Sequence, residues 1–178
     1  MKRETLILDE RSLYGIIKKL SWEIYNRYSS NTPFALVGIY TRGAYLAQRI
    51  QKDLEKIISE NIPVGYLDIN LYRDDLSTLR EQPQIKSTDI LFDINQYNII
   101  LVDDVIFTGR TARSALDALV DLGRPKKVIL TVLVDRGWRE YPIQPDIVGI
   151  KLNTKLNEVV HLQLREVDKK ESLWLIEK

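Results

Sequence analysis

Apolar residues recur along the chain in two patterns. Leu13, Ile16, Ile17, Leu20 and Ile24 return at helical spacing behind an N-cap position at Asp9, and the polar stretch 29–33 (SSNTP) ends the run. A second stripe of that kind, Leu46, Ile50, Leu54, Ile57 and Ile58, stops before Pro63. A third, at 111–122, turns Ala112, Ala115, Leu116 and Leu119 inward and is halted by Gly123 and Pro125. Between them lie short continuous apolar runs, 34–40 (FALVGIY), 99–102 (IILV) and 128–134 (VILTVLV), which suit strands buried on both faces. Leu67, Ile69 and Leu71 alternate with Asp68, Asn70 and Tyr72, which predicts a strand with unlike faces. Short segments at 147–150, 159–164 and 173–176 read as small strands. Residues 74–88 show neither period, and an irregular loop of that length inside a domain points to a lid or binding loop, with a plain surface loop as the alternative. Helices alternating with continuous apolar strands predict an α/β fold, doubly wound around a mostly parallel sheet. No repeat or linker divides the 178 residues, so 1–178 reads as a single domain.

Composition narrows the chemistry. With no cysteine and one histidine, His161, the chain offers no disulfide, thiolate zinc site or cysteine nucleophile, and any metal must be a hard cation held by oxygen. His161 shares the Gln163 side of an alternating segment and is expected to face solvent. Twenty-six basic residues against 25 acidic ones leave a net charge of +1, so any basic surface for nucleic acid must be local. The N-terminal residues show no signal-peptide apolar region and no segment is long enough to span a bilayer, which predicts a cytoplasmic protein without a membrane partner.

The stretch 99–111, IILVDDVIFTGRT, combines several features with a shared use. A buried strand delivers Asp103 and Asp104 to its C-terminal end, and a turn containing Thr108, Gly109, Arg110 and Thr111 opens a helix. Ligands of open α/β sheets bind at that edge. Gly109 lets backbone approach an anion, the first helical N–H groups point at it, and the threonine hydroxyls add donors. Paired carboxylates beside an anion pocket suit the vicinal hydroxyls of a ribose or a magnesium ion, so a sugar phosphate satisfies both halves. The plainer alternative for the acidic pair is helix capping or a solvated turn. Thr41, Arg42 and Gly43 repeat the strand–turn–helix arrangement and offer a second anion site at the same edge; the alternative is a glycine turn with a solvated arginine.

The segment VDDVIFTGRT resembles the 5-phosphoribosyl-1-diphosphate (PRPP) signature of the type I phosphoribosyltransferases. VGIYTRGAYLAQRI, LDINLYRDDLS, DALVDLGRPKKVIL and LVDRGWREYPI resemble, in order and spacing, the PyrR family of pyrimidine operon attenuators and uracil phosphoribosyltransferases. The resemblance covers nearly the whole chain. It implies a phosphoribosyltransferase-like fold with a small hood and a flexible lid loop, and transfer of a phosphoribosyl group from PRPP to uracil, giving UMP and pyrophosphate with magnesium. It makes 41–43 the pyrophosphate loop and Tyr72, Arg73, Asp74 and Asp75 the start of the lid, with Arg73 neutralising pyrophosphate charge. It assigns base recognition to Val134 and Arg136; Asp135 between them is read as holding Arg136, with a role as general base as the alternative. Arg42, Arg73, Asp103 and Asp104 are the expected catalytic group.

The family's second activity is binding a hairpin in pyrimidine-operon messenger RNA, and here the chain departs from the usual pattern. Trp138 stands where the family commonly has the histidine of RGHREL, Trp22 where a first-helix histidine is common, and Gln144 where an arginine is expected. Trp22 points away from the apolar stripe, beside Lys18 and Tyr25, so it belongs to a subunit interface or stacks on unpaired bases. Lys18, Lys19, Arg27 and Arg139 are the visible part of a basic face. Lys18, Lys19, Trp22, Trp138 and Arg139 are thus candidates for RNA contact or for a homo-oligomer interface, dimer or tetramer. Two alternatives remain: an RNA-binding pyrimidine regulator with little enzyme activity, or a phosphoribosyltransferase for another base.

Overall fold

The structure is a computed structural model that describes residues 3–28, 33–74 and 88–178. The three predicted helices are present as α1 (Glu10–Tyr28), α2 (Arg42–Ile58) and α3 (Arg110–Leu122). Asp9 caps the first, its Oδ1 accepting from the Ser12 N–H at 2.8 Å, which satisfies one of the donors a helix start leaves free. The buried runs form β2 (Phe34–Ile39), β4 (Asn98–Ile106) and β5 (Lys127–Asp135), and with β3 (Val64–Leu67) and β6 (Ile147–Lys151) they make one parallel sheet in the order β3-β2-β4-β5-β6. Both faces are covered. Ile100 and Val102 of β4 enter the core beneath α1 and α2, while Ile99 and Leu101 enter the core beneath α3. Continuous apolar runs therefore signalled parallel strands, as doubly covered sheets require.

The alternation at 67–72 does not give a strand. β3 ends at Leu67, opposite Ile39, where β2 also ends and pairing has no partner. Asp68 Oδ1 accepts from the Asn70 N–H at 2.8 Å and turns the chain into a single 3₁₀ turn at Asn70–Tyr72, leaving Leu71 69% exposed. The expected lid falls almost wholly on residues 75–87, Asp75 included, and so lies outside the described residues.

A second, antiparallel sheet, β1-β8-β7, is built from β1 (Glu4–Leu8), β7 (Glu158–Gln163) and β8 (Ser172–Glu177). The N-terminal strand has no clear periodic signal. It exists because β8 offers it an edge, with Glu4 opposite Ile176 and Leu8 opposite Leu173. Val160, Leu162 and Leu173 bury one face of this small sheet against α1 and α2. His161 stands on the other face opposite Trp174, half-buried rather than fully in solvent. A four-residue helix, α4 (Arg165–Asp168), joins β7 to β8 and reaches the start of α2. No helix among the described residues is long and apolar enough to cross a membrane.

Candidate active site

Because β2 and β4 are parallel neighbours, their C-terminal ends open at the same edge. The helix after β2 lies on one face of the sheet and the helix after β4 on the other, so the two exits diverge and leave a crevice between them. The loops at 40–42 and 107–110 border it. Gly43 makes the closeness possible, since a Cβ there would stand 2.5 Å from the Val102 carbonyl oxygen and 3.1 Å from Asp103 Cα. The N-terminus of α2 thereby rests against the acidic pair.

Asp103 is buried and Asp104 half-buried, both within the last residues of β4. Asp103 Oδ1 accepts from the Asp104 N–H at 2.9 Å, and Asp104 Oδ1 from the Val105 N–H at 2.8 Å. Burial, reinforced by the neighbouring carboxylate, pushes Asp103 well above the ordinary carboxylate range. Burial also raises Asp104, against opposing hydrogen bonds and the charge of Arg42. Two such carboxylates are poised to accept hydroxyl hydrogens or share a cation. No cluster of three or more acidic or histidine side chains that could hold a metal ion occurs among the described residues.

The turn after β4 bends at a glycine and runs directly into a helix. Gly109 adopts φ +92°, a left-handed conformation that favours glycine, and α3 begins at the next residue. The Arg110 N–H lies 3.4 Å from Thr108 Oγ1, and the Thr108 carbonyl accepts from the Glu140 and Tyr141 N–H groups at 2.8 and 3.0 Å. The Arg110 side chain pairs with Asp74 and Glu140 and lies 5.2 Å from the centre of the Tyr141 ring, so its guanidinium ties loops together beside the turn. Tyr72 is docked on α3. Its hydroxyl donates to Asp121 at 2.7 Å, about 16 Å along the helix from the turn, and its carbonyl accepts from Ser114 Oγ at 3.0 Å. Arg73 is half-buried just beyond it. Arg42 heads α2, with its Nη2 2.8 and 3.1 Å from the two carboxylate oxygens of Asp168; its Nε is buried without a hydrogen-bond partner among the described residues.

The loop after β5 forms the third wall. Val134 is buried in the strand, and the Arg136 N–H donates to the Ile106 carbonyl at 3.2 Å. The Arg136 guanidinium lies 4.0 Å from the centre of the Phe107 ring and donates to Thr154 Oγ1 at 3.2 Å and the Lys155 carbonyl at 3.1 Å. Asp135 does not hold Arg136. Its Oδ1 accepts from the Gly137 N–H at 2.9 Å and pairs with Arg139 at 2.7 Å. Arg139 also donates to the carbonyls of Phe107, Gly137 and Ile143, at 2.8, 3.1 and 3.0 Å, and its side chain is only 11% exposed. It is committed to the loop and adds nothing to an exposed basic face.

Lys18 lies 4.8 Å from the centre of the Tyr14 ring, and Lys19 donates to the Gly149 carbonyl at 3.0 Å while pairing with Glu23. Trp22 is 51% exposed and meets Tyr25 edge-on; Trp138 is 47% exposed, with its Nε1 donating to the Thr154 carbonyl at 2.7 Å. Sequence reasoning missed Phe107 and Asp168. Phe107 sat inside the motif, its pairing with Arg136 unsignalled, and Asp168 lies 126 residues from Arg42 with nothing local to mark it.

An acidic pair, a glycine turn and the loop at Thr41–Gly43 meeting at the switch point of a parallel sheet give the architecture of a phosphoribosyltransferase fold. Residues 5–168 match the phosphoribosyl transferase domain family. The T. cruzi hypoxanthine phosphoribosyltransferase structure aligns with a TM-score of 0.73 at 15% identity over 97% of this chain and 96% of its own, and the Staphylococcus aureus enzyme with 0.69 at 22% over 98% and 92%. These likenesses concern the fold. Closer relatives are bifunctional PyrR proteins: that of Elusimicrobium minutum is 48% identical over 98% of both chains, and that of Thermoanaerobacter sp. strain X514 is 48% identical over the full length of both. The chain belongs to the PyrR family.

Proposed function

We propose that this protein transfers a phosphoribosyl group from PRPP to uracil, forming UMP and pyrophosphate, and that it also recognises a pyrimidine-operon RNA hairpin. The observation that carries the enzymatic reading is the seating of Arg42 at the head of α2 next to the Asp103–Asp104 pair at the end of β4, with the Thr108–Thr111 turn beside them. Each part meets one group of PRPP. N–H groups and hydroxyls at Thr108, Gly109, Arg110 and Thr111 take the 5-phosphate, Asp103 and Asp104 accept the ribose hydroxyls, and Thr41, Arg42 and Gly43 receive the pyrophosphate. Magnesium, when bound with PRPP, supplies positive charge to the departing pyrophosphate, and the acidic pair fits it. As the C1′–O bond breaks, positive charge develops on the ribose and negative charge on pyrophosphate. Arg42 and Arg73 stabilise the latter, and uracil nitrogen closes the new bond and passes its proton to an oxygen of the departing pyrophosphate or to water. With no cysteine in the chain and His161 on the outer face of the small sheet, positioning and charge stabilisation do the work. The Val134 backbone and the Arg136–Phe107 stack form the wall against which a small flat base would lie.

Pyrophosphate release is the assay, with PRPP, magnesium and a panel of nucleobases. Uracil is expected to turn over fastest; faster reaction with hypoxanthine, guanine or orotate overturns the substrate assignment while leaving the fold untouched. The RNA reading is supported by the bifunctional naming of the relatives. Specific binding should favour a pyrimidine-operon hairpin over unrelated hairpins at fixed salt. An equal, steep salt dependence for all hairpins would reduce it to phosphate attraction.

A further inference from the structure

We propose that Asp168, on the short helix of the small sheet, is the positioning residue for Arg42, holding its guanidinium at the pyrophosphate end of the site and off the acidic pair. This rests on the reading of Arg42 as a PRPP-binding group. Arg42 is the first residue of α2, a long flexible side chain at the mouth of the crevice. Two opposite charges compete for it. Asp104 feels the Arg42 charge from the end of β4, and Asp168 binds it directly through both carboxylate oxygens, at 2.8 and 3.1 Å. Asp168 is itself fixed, since its Oδ2 also accepts from the Leu164 N–H at 2.9 Å at the foot of its own turn. Burial alone would raise the Asp168 carboxyl, but the Leu164 N–H and the Arg42 guanidinium outweigh it and hold the group below its ordinary range, so it is ionised at neutral pH.

A merely structural role for this pair is already filled by other residues. Arg49, two turns further along α2, binds Glu166 and Glu171 on either side of Asp168 and fastens the same segment to the helix. The small sheet also buries Val160, Leu162 and Leu173 against α1 and α2. What Asp168 adds is local: a direct counter-charge for Arg42 that comes from the short helix of the small sheet and not from the end of β4. Placing a carboxylate near an anion site weakens its long-range attraction. The gain is that Arg42 cannot collapse onto Asp104, which would cover the ribose acceptors and withdraw the cation from the pyrophosphate.

Calorimetric titration with PRPP and magnesium tests this on the full chain. Asp168→Asn keeps the size and an acceptor for Leu164 but loses the charge. It should weaken PRPP binding about tenfold while leaving KM for uracil and the melting temperature close to wild type. Asp168→Glu should recover most of the affinity, and in an Arg42→Gln background Asp168→Asn should have no further effect. Glu166→Gln, which loosens the small sheet through Arg49 alone, should leave PRPP affinity unchanged. Unchanged or tighter PRPP binding by Asp168→Asn, no recovery with Glu, a full additional loss in the Arg42→Gln background, or the same loss from Glu166→Gln each overturns the proposal. If Arg42→Gln itself binds PRPP normally, it is the reading of the pyrophosphate loop that fails.

Discussion

Asp103 and Asp104 are held at a cost to the ligand-free fold, because both carboxyls titrate above their unfolded values. Below the unfolded value both states are protonated and the cost vanishes; as pH rises through the folded values, the native state must ionise two crowded groups and stability is lost. The double substitution Asp103→Asn, Asp104→Asn should therefore melt higher than wild type at pH 7, with the gap closing as pH falls toward the unfolded carboxylate range. The same variant should bind PRPP at least tenfold more weakly, since charge-assisted hydrogen bonds are worth about 1.5–3 kcal/mol each. Melting curves across pH and PRPP titration read the two effects separately, and unchanged PRPP affinity would mean that the ribose site is misplaced. Arg139 presents the opposite case. It holds three carbonyls and Asp135, so Arg139→Ala should destabilise the protein by about 2–3 kcal/mol, measured by denaturant unfolding. A variant of wild-type stability that loses RNA binding would return Arg139 to the RNA face.

Two elements converge on the crevice because glycine sits where each must bend or approach. At Gly109 the left-handed backbone opens α3, and a Cβ would come 3.3 Å from Tyr141 Cβ. Gly109→Ala should cost about 1–2 kcal/mol through strain and shift the turn against the 136–144 loop. At Gly43 the obstacle is the Val102 carbonyl itself, which cannot move without breaking the sheet. Gly43→Ala should push α2 off β4 and raise KM for PRPP more than Gly109→Ala does for equal loss of stability. Steady-state kinetics beside melting temperatures decide this, and equal KM values for the two variants would argue against Gly43 as the spacer between arginine and acidic pair.

At the scale of the whole molecule, Trp22 and Trp138 stand out as large rings on the surface. Trp22 and Trp138 each leave about half of a large apolar surface in water, which a monomer gains nothing by doing. We propose that they lie at a subunit interface of a homo-oligomer, a dimer or a dimer of dimers. Sedimentation of wild type and a Trp22→Ala, Trp138→Ala variant over a concentration series is the test. The variant should dissociate at higher concentration than wild type; equal mass and equal dissociation would remove the interface. Loss of hairpin binding with transferase activity intact would instead assign these rings to RNA.

Much of this was legible in the chain because it is local. Burial on both faces writes a strand as an unbroken apolar run, an amphipathic helix writes its stripe every three or four residues, and the chemistry of 99–111 lies within thirteen consecutive positions. Those readings needed no knowledge of what lay across the fold. The N-terminal strand of the small sheet, the pairing of its strands, the end of β3 at Leu67 and the partners of the arginines needed all of it. β1 is a strand only because β8 borders it, and the alternation at 67–72 fails because β2 has ended. An arginine in sequence is the same symbol whether it waits for an anion, as Arg42 is proposed to do, laces carbonyls together like Arg139, or lies on a ring like Arg136. Local pattern records how a residue is buried along its own element; which charge or edge it meets is set by chain segments up to 172 positions away, as between Glu4 and Ile176, and only packing brings those together.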